Sequence, residues 1–263
     1  MQLGYRIIRP ADIGTQPVGF AQISLWRKAD WGVSDGDRGV REAIDMAAAC
    51  RARSIRTVYH PLEYSLAGAG EDGPATVAVM ERLAGAADLG IIIHDEGDGN
   101  GGRLSGSAAV QYGVNVRSLS RRCPVSIENS YNSGDITWFW ERFVVPMPGS
   151  VSITLDIGHL ELAGIDSVRF VSDMSDLLVS RIRFVHMHHH DAASASLVKD
   201  HQPLVPGCRE IEALAILLGR KKDLWVIVEL DASERGMGES IDLLRPLQTP
   251  EGAGQNILPN RLK

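Results

Sequence analysis

Short apolar or β-branched runs recur along the chain, and between them lie longer stretches in which apolar residues return every three or four positions. That alternation marks βα units around a parallel sheet. Strands are expected near residues 4–8, 18–24, 55–60, 90–94, 124–129, 151–158, 181–188 and 224–230. Helices are expected near 38–52, 74–88, 107–121, 135–145, 166–180, 209–221 and 238–246. Eight strands in this order predict an α/β protein of the (β/α)8 TIM-barrel class. The link between the first two strands is different. Pro10, Gly14 and Pro17 crowd a connection too short for a crossover helix, so the barrel is expected to be irregular there.

A chain of 263 residues suits one such barrel, which typically takes ~250. A single domain is expected over 1–248, followed by a loosely ordered tail over 249–263. Gly- and Asp-rich stretches at 68–73 and 95–102 read as loops after the third and fourth strands. The hydrophobic share of 44% and charged share of 23% are those of an ordinary folded protein, which leaves little room for disorder before the tail.

The strands repeatedly end in an ionisable residue: His60, His94, Glu128, Asp156, His186 and Glu229. In a barrel of parallel strands these ends form one rim, so the six should converge. Each alone has a plain reading, such as a rim histidine, a turn acceptor at Glu128 or a helix cap at Asp156. Their joint position is what points to chemistry. Several carboxylates in one low-dielectric mouth raise each other's pKa, and a divalent cation reverses that penalty. Glu128, Asp156, His186 and Glu229 are therefore expected to hold a metal. Two Glu, one Asp and one His suit Mn2+, Mg2+ or Co2+, with Zn2+ also compatible. In the run from His186 to His190 only alternate side chains share a face, so His188 is expected beside His186, with His189 and His190 in the following loop.

Other features narrow the partners. Cys50, Cys123 and Cys208 are odd in number and widely spaced, as expected of reduced thiols. The N-terminus lacks a secretory pattern and no apolar run approaches the ~20 residues that span a bilayer, so no membrane partner is expected and a cytoplasmic location is. The net charge of −6 weakens a polynucleotide substrate. Trp26, Arg27, Lys28 and Trp31 read as a solvated loop rather than a nucleic-acid footprint. Trp138 and Trp140 could offer an apolar wall to a sugar face, but tryptophans in a helix are more often core, and that is the role expected of them.

An ordered series of motifs resembles the xylose isomerase-like TIM-barrel superfamily, which includes sugar isomerases and epimerases and the endonuclease IV-like AP endonucleases. The series is VYHP with His60, IIIH with His94, SIENS with Glu128, LDIGH with Asp156 and His159, FVHMH with His186, DHQPLVPG with His201, and VIVELD with Glu229. In the isomerase and epimerase branch, the resemblance implies one metal on Glu128, Asp156, His186 and Glu229. Glu128 and Glu229 then move the proton next to a ketose carbonyl, and His159 holds a substrate hydroxyl. The expected substrate is a small sugar or polyol, with a mild preference for a non-phosphorylated one. In the nuclease branch, His60, His94, His159 and His201 add ligands for a trinuclear zinc cluster that cleaves a phosphodiester. Two departures weigh against that branch: Lys199 stands where the nucleases carry an Asp, with Asp200 one residue out of register, and the loop after His94 is acidic. A non-catalytic barrel that binds a sugar or metal is a further alternative. Such barrels often pair, which leaves a homo-oligomer open.

Overall fold

A computed structural model describes residues 1–27, 36–68, 73–98, 102–130, 135–191, 200–231 and 234–248, so the expected tail over 249–263, like Lys28 and Trp31, lies outside the described residues. Eight strands form a closed parallel barrel in sequence order: β1 (Gln2–Ile7), β2 (Phe20–Trp26), β3 (Arg56–Leu62), β4 (Ile91–His94), β5 (Val125–Glu128), β6 (Val151–Asp156), β7 (Ile182–Met187) and β8 (Trp225–Val228). β1 closes on β8 with Gly4 opposite Ile227. The outer layer comprises α1 (Gly36–Arg51), α2 (Gly73–Ala84), α3 (Gly106–Leu119), α4 (Ile136–Phe143), α5 (Ile157–Leu162), α6 (Ser167–Asp173), α7 (Asp176–Arg181), α8 (Arg209–Arg220) and α9 (Glu234–Leu244). No helix among the described residues is long and apolar enough to cross a membrane.

The irregular first connection is present. β1 passes to β2 through a 3-10 turn at Pro10–Asp12. Polar contacts replace a packed helix there: the Asp12 carboxylate accepts from the backbone N–H of Ile8 and Arg9, and the Tyr5 hydroxyl donates to the Asp12 carbonyl while accepting from Gly14 N–H.

Two expectations need correction. The strand expected over 151–158 stops at Asp156, which caps α5 by accepting from the His159 backbone N–H at 2.7 Å. A side-chain acceptor at that point satisfies a free N–H and starts a helix that the strand reading did not include. The helix expected over 166–180 is two helices. Met174 is extended and Ser175 caps α7 with its hydroxyl, so the S-D-M-S-D stretch interrupts the helical period.

Inward positions repeat every second residue along each strand. Near the N-terminal end they are apolar, with Phe20, Val58, Ile92, Phe184 and Ile227 forming a small inner core capped by Trp225. Gly4 is needed at this level, because a Cβ there would lie 2.5 Å from the Phe20 ring. Higher up the inward residues become polar, with Thr154 donating to Ser126 at 2.7 Å. At the C-terminal ends they become ionisable: Arg6, His60, His94, Glu128, Asp156, His186 and Glu229. The change of character along the axis places the candidate chemistry at the end of the barrel where βα loops gather. The larger core lies between the strands and the helices. All three cysteines are buried and unpaired.

Candidate metal centre

Glu128, Asp156, His186 and Glu229 meet at the barrel mouth, all between 0% and 3% exposed. His186 Nδ1 lies 2.7 Å from Glu229 Oε2, 3.1 Å from Glu128 Oε1 and 3.6 Å from Asp156 Oδ2. His60 and His94 approach the same glutamate from β3 and β4, their Nε2 atoms 3.2 and 3.7 Å from Glu128 Oε2. Both Glu128 oxygens, both His186 nitrogens, His60 Nε2 and Glu229 Oε2 are buried without a hydrogen bond of good geometry. Buried polar atoms are almost always paired, so a convergent set of orphans calls for a missing partner. A divalent cation fits this oxygen-rich donor set, and His60, Glu128, His186 and Glu229 can each present one ligand atom within a common 4.8 Å.

A second group adjoins the first through Asp156 and His159. His188 Nε2 is 3.1 Å from Asp156 Oδ1, and its Nδ1 is 3.1 Å from Asp200 Oδ1. Asp200 also lies 3.2 Å from His201 Nδ1 and 3.7 Å from His159 Nε2. The rings of His188 and His201 stack at 4.4 Å. An antiparallel bridge between His189 and Gln202 folds the chain back after β7 and brings this segment to the mouth. Asp200, out of register in the linear motif, is thus held beside His188 and His201. His201 sits at φ 51°, a left-handed conformation that accompanies this tight return.

The electrostatics show how much positive charge the carboxylates demand. Burial alone would raise the Glu128 carboxyl, but His186, His60 and His94 outweigh it and hold the group below its usual range. Burial is likewise overridden at Glu229 by His186 and Arg6, and at Asp156 by His159 and His188. His186 is driven well above an ordinary imidazole: burial opposes its charge, and Glu128 and Glu229 prevail. His60 is the exception, pushed down to about 4 by burial. Asp200 is held at about 2, because the hydrogen bond from His201 and the charges of His188, His201 and His159 overcome its burial.

Several positioning residues are invisible in strand-end logic. Arg6 is buried in β1, its Nη1 3.2 Å from Glu229 Oε1 and its Nη2 2.9 Å from Asp231 Oδ1, with Trp26 at 5.2 Å from its guanidinium. A charged residue inside the otherwise apolar GYRII run was the available signal. Asn129 clamps β6: its side-chain N–H donates to the Asp156 carbonyl and its oxygen accepts from the Asp156 N–H. The Asn129 carbonyl lies 3.1 Å from His159 Nδ1. Gly158 makes room for His188, since a Cβ there would fall 2.2 Å from the ring. Gly158→Ala is therefore expected to displace His188 and to destabilise the fold by ~1–3 kcal/mol, the usual cost of overpacking. Urea unfolding of the variant measures it, and a wild-type midpoint would contradict the close approach.

The mouth opens into a cavity of about 360 Å3 whose lining includes Arg6, Trp26, Glu63, His159, His201 and Asp231. Trp138 and Trp140 are not among the residues that line it, which leaves them with the core role expected of tryptophans in a helix. Trp140 is fully buried against Phe170 in the outer core, and Trp138 packs on Phe139 and Phe143 beneath the Arg103 guanidinium. Helix α4 directs its aromatic residues at the outer core, so those tryptophans have packing roles.

Solved structures share this architecture. The fold is that of the xylose isomerase-like TIM barrels. A xylose isomerase domain-containing protein from Salmonella typhimurium LT2 superposes with a TM-score of 0.60 at 12% identity, covering 94% of this chain and 97% of its own. An IolI protein with a bound zinc atom gives 0.65 at 11% identity, covering 94% and 98%. A D-psicose 3-epimerase from Clostridium cellulolyticum H10, solved with D-tagatose, gives 0.55 at 12% identity, covering 94% and 99%. No protein-family model and no curated protein sequence matches the chain.

Proposed function

We propose that this protein is a divalent-metal-dependent isomerase or epimerase of a small ketose or related polyol, with Glu128, Asp156, His186 and Glu229 as metal ligands. The carrying observation is the set of buried, orphaned donor atoms that Glu128, His186 and Glu229 turn toward one another, with Asp156 Oδ2 3.6 Å from His186 Nδ1. A cation bound among them supplies Lewis acidity beside a substrate carbonyl and its neighbouring hydroxyl. Glu128 ends β5, and Glu229 directly follows β8. One removes the proton from the carbon next to the carbonyl, and the other returns a proton to that carbon or its neighbour. His159, which lines the cavity, holds a substrate hydroxyl. The names of several structural neighbours agree with this class: D-psicose and L-ribulose 3-epimerases are among them.

The charge balance of the cavity favours an uncharged substrate. Arg6 is the one Lys or Arg side chain of the described lining, and it is already engaged by Glu229 and Asp231. A phosphate brought here would meet carboxylates before it met a free guanidinium.

The test is solvent exchange. Incubation of candidate ketoses with the metal-loaded protein in deuterated water is expected to place deuterium at the carbon next to the carbonyl. A barrel that merely binds sugar would hold the ketose with no exchange.

A second reading, a multi-metal phosphodiesterase, draws on the position of Asp200 among His159, His188 and His201. The two readings part at His201, which lies 3.2 Å from Asp200 and outside the Glu128–Glu229 ligand set. His201→Ala is expected to keep the wild-type metal content and to change turnover by only a few-fold. Loss of metal equivalents together with most activity toward a phosphodiester would establish the second reading instead.

A further inference from the structure

A third group of ligand-type side chains lies behind the mouth. His189 follows β7, Cys208 occupies the N-cap of α8, and Glu210 sits in the first turn of that helix. Their ligand atoms all lie within 4.8 Å of one another, with His189 Nδ1 2.9 Å from Glu210 Oε1. Glu210 is 1% exposed, yet no Lys or Arg among the described residues pairs with it. Its partners include His189 Nδ1, the backbone N–H of His190 and the Cys208 thiol. A buried carboxylate that faces no Lys or Arg is disposed to accept a cation.

We propose that His189, Cys208 and Glu210 bind a second divalent cation of the zinc class, separate from the one at the barrel mouth. The donor chemistry selects that class. A thiolate, an imidazole and a carboxylate suit Zn2+ or Co2+, and solvent can take a fourth position. This contrasts with the mouth, whose cluster contains no sulfur. Burial, with Glu210 adding to it, pushes the Cys208 thiol up to about 12, so without a cation the sulfur keeps its proton. On binding, the thiol proton passes to solvent, and His189 offers the Nδ1 lone pair with its ring proton on Nε2. The α8 N-terminus favours the resulting thiolate.

The position gives the site a purpose. His189 is bridged through its backbone to Gln202, next to Asp200 and His201. A cation joining His189 to the start of α8 clips both ends of the returning segment and fixes the side of the mouth that carries those two residues. The clip does not depend on the reaction proposed for the mouth.

Cobalt separates the two centres. Titration of the full-length, metal-stripped protein with Co2+ is expected to produce a near-ultraviolet thiolate-to-cobalt charge-transfer band, which the sulfur-free mouth cannot generate. Cys208→Ser is expected to abolish that band and to lower bound metal by one equivalent, while Cys50→Ser and Cys123→Ser keep both. Absence of the band from the wild-type protein at saturating Co2+, or its survival in Cys208→Ser, would overturn the proposal. The wild-type spectrum decides the matter even if a variant folds poorly.

Discussion

Glu229→Gln is expected to lower turnover of a ketose substrate ~10²–10⁴-fold, the range lost with a general acid–base group, while leaving the fold intact. The substitution keeps the volume of the side chain and one oxygen that can face His186, 2.7 Å away in the wild type. Arg6, the other partner of Glu229, keeps its ion pair with Asp231 at 2.9 Å. The buried guanidinium is therefore not left alone, which is why the amide is a cleaner test than alanine. What disappears is a negative charge facing the metal and the ability to carry a proton. Steady-state kinetics, a thermal melt and metal analysis together check the outcome. Wild-type turnover in a well-folded variant would remove Glu229 from the chemistry, and a collapsed melt would make it structural. The expected signature is a low kcat on a melt within a few degrees of wild type.

Much of the fold was legible because short apolar or β-branched runs alternate with longer helical periods, as βα units around one barrel require. Runs such as VGFAQIS and VSITLDIG announce a strand whichever helix follows. The mouth was legible for a related reason: an apolar strand gains nothing from an ionisable end unless neighbouring strands end the same way. Local rules could not resolve cases where one residue serves two masters. Asp156 is both a member of the buried cluster and the N-cap of α5, so a reading that continued the strand through Gly158 missed the helix. Asp200 stands one residue out of register in the linear motif, and what spacing could not show is that the His189–Gln202 bridge holds it beside His188 and His201. Arg6, Asn129 and Gly158 escaped notice because their roles are relational. Arg6 matters through Glu229, Asn129 through the backbone of Asp156, and Gly158 through the ring of His188. None has a motif of its own, and each depends on a contact between different strands or loops.

Removing metal is expected to destabilise the protein by an amount that grows with pH. Free metal ~1,000-fold above its Kd contributes ~4 kcal/mol to the folded state. At the ~2–4 °C per kcal/mol typical of 150–250-residue domains this is a melting difference of roughly 8–16 °C. The pH dependence follows from the cluster. In the metal-free protein His159, His186 and His188 are raised: burial opposes their charge, but Asp156, Glu128 and Glu229 overcome it. A raised histidine stabilises the fold fully below its unfolded value of ~6.5, and that contribution is lost as pH climbs through the folded value. The lowered carboxylates Glu128, Asp156 and Glu229 act in the other window. Their contribution is present above ~4 and fails as pH falls through their folded values. His60, at about 4, opposes the raised histidines by costing stability as pH drops from ~6.5 toward that value. Metal binding must displace the histidine protons, so affinity rises with pH while the metal-free protein weakens. Melts of chelated and metal-reloaded protein at pH 6, 7 and 8 are expected to show a gap that widens at each step. A gap that stays constant would mean that metal binding at the mouth displaces no protons from these histidines, and no gap at all would remove the metal from the site.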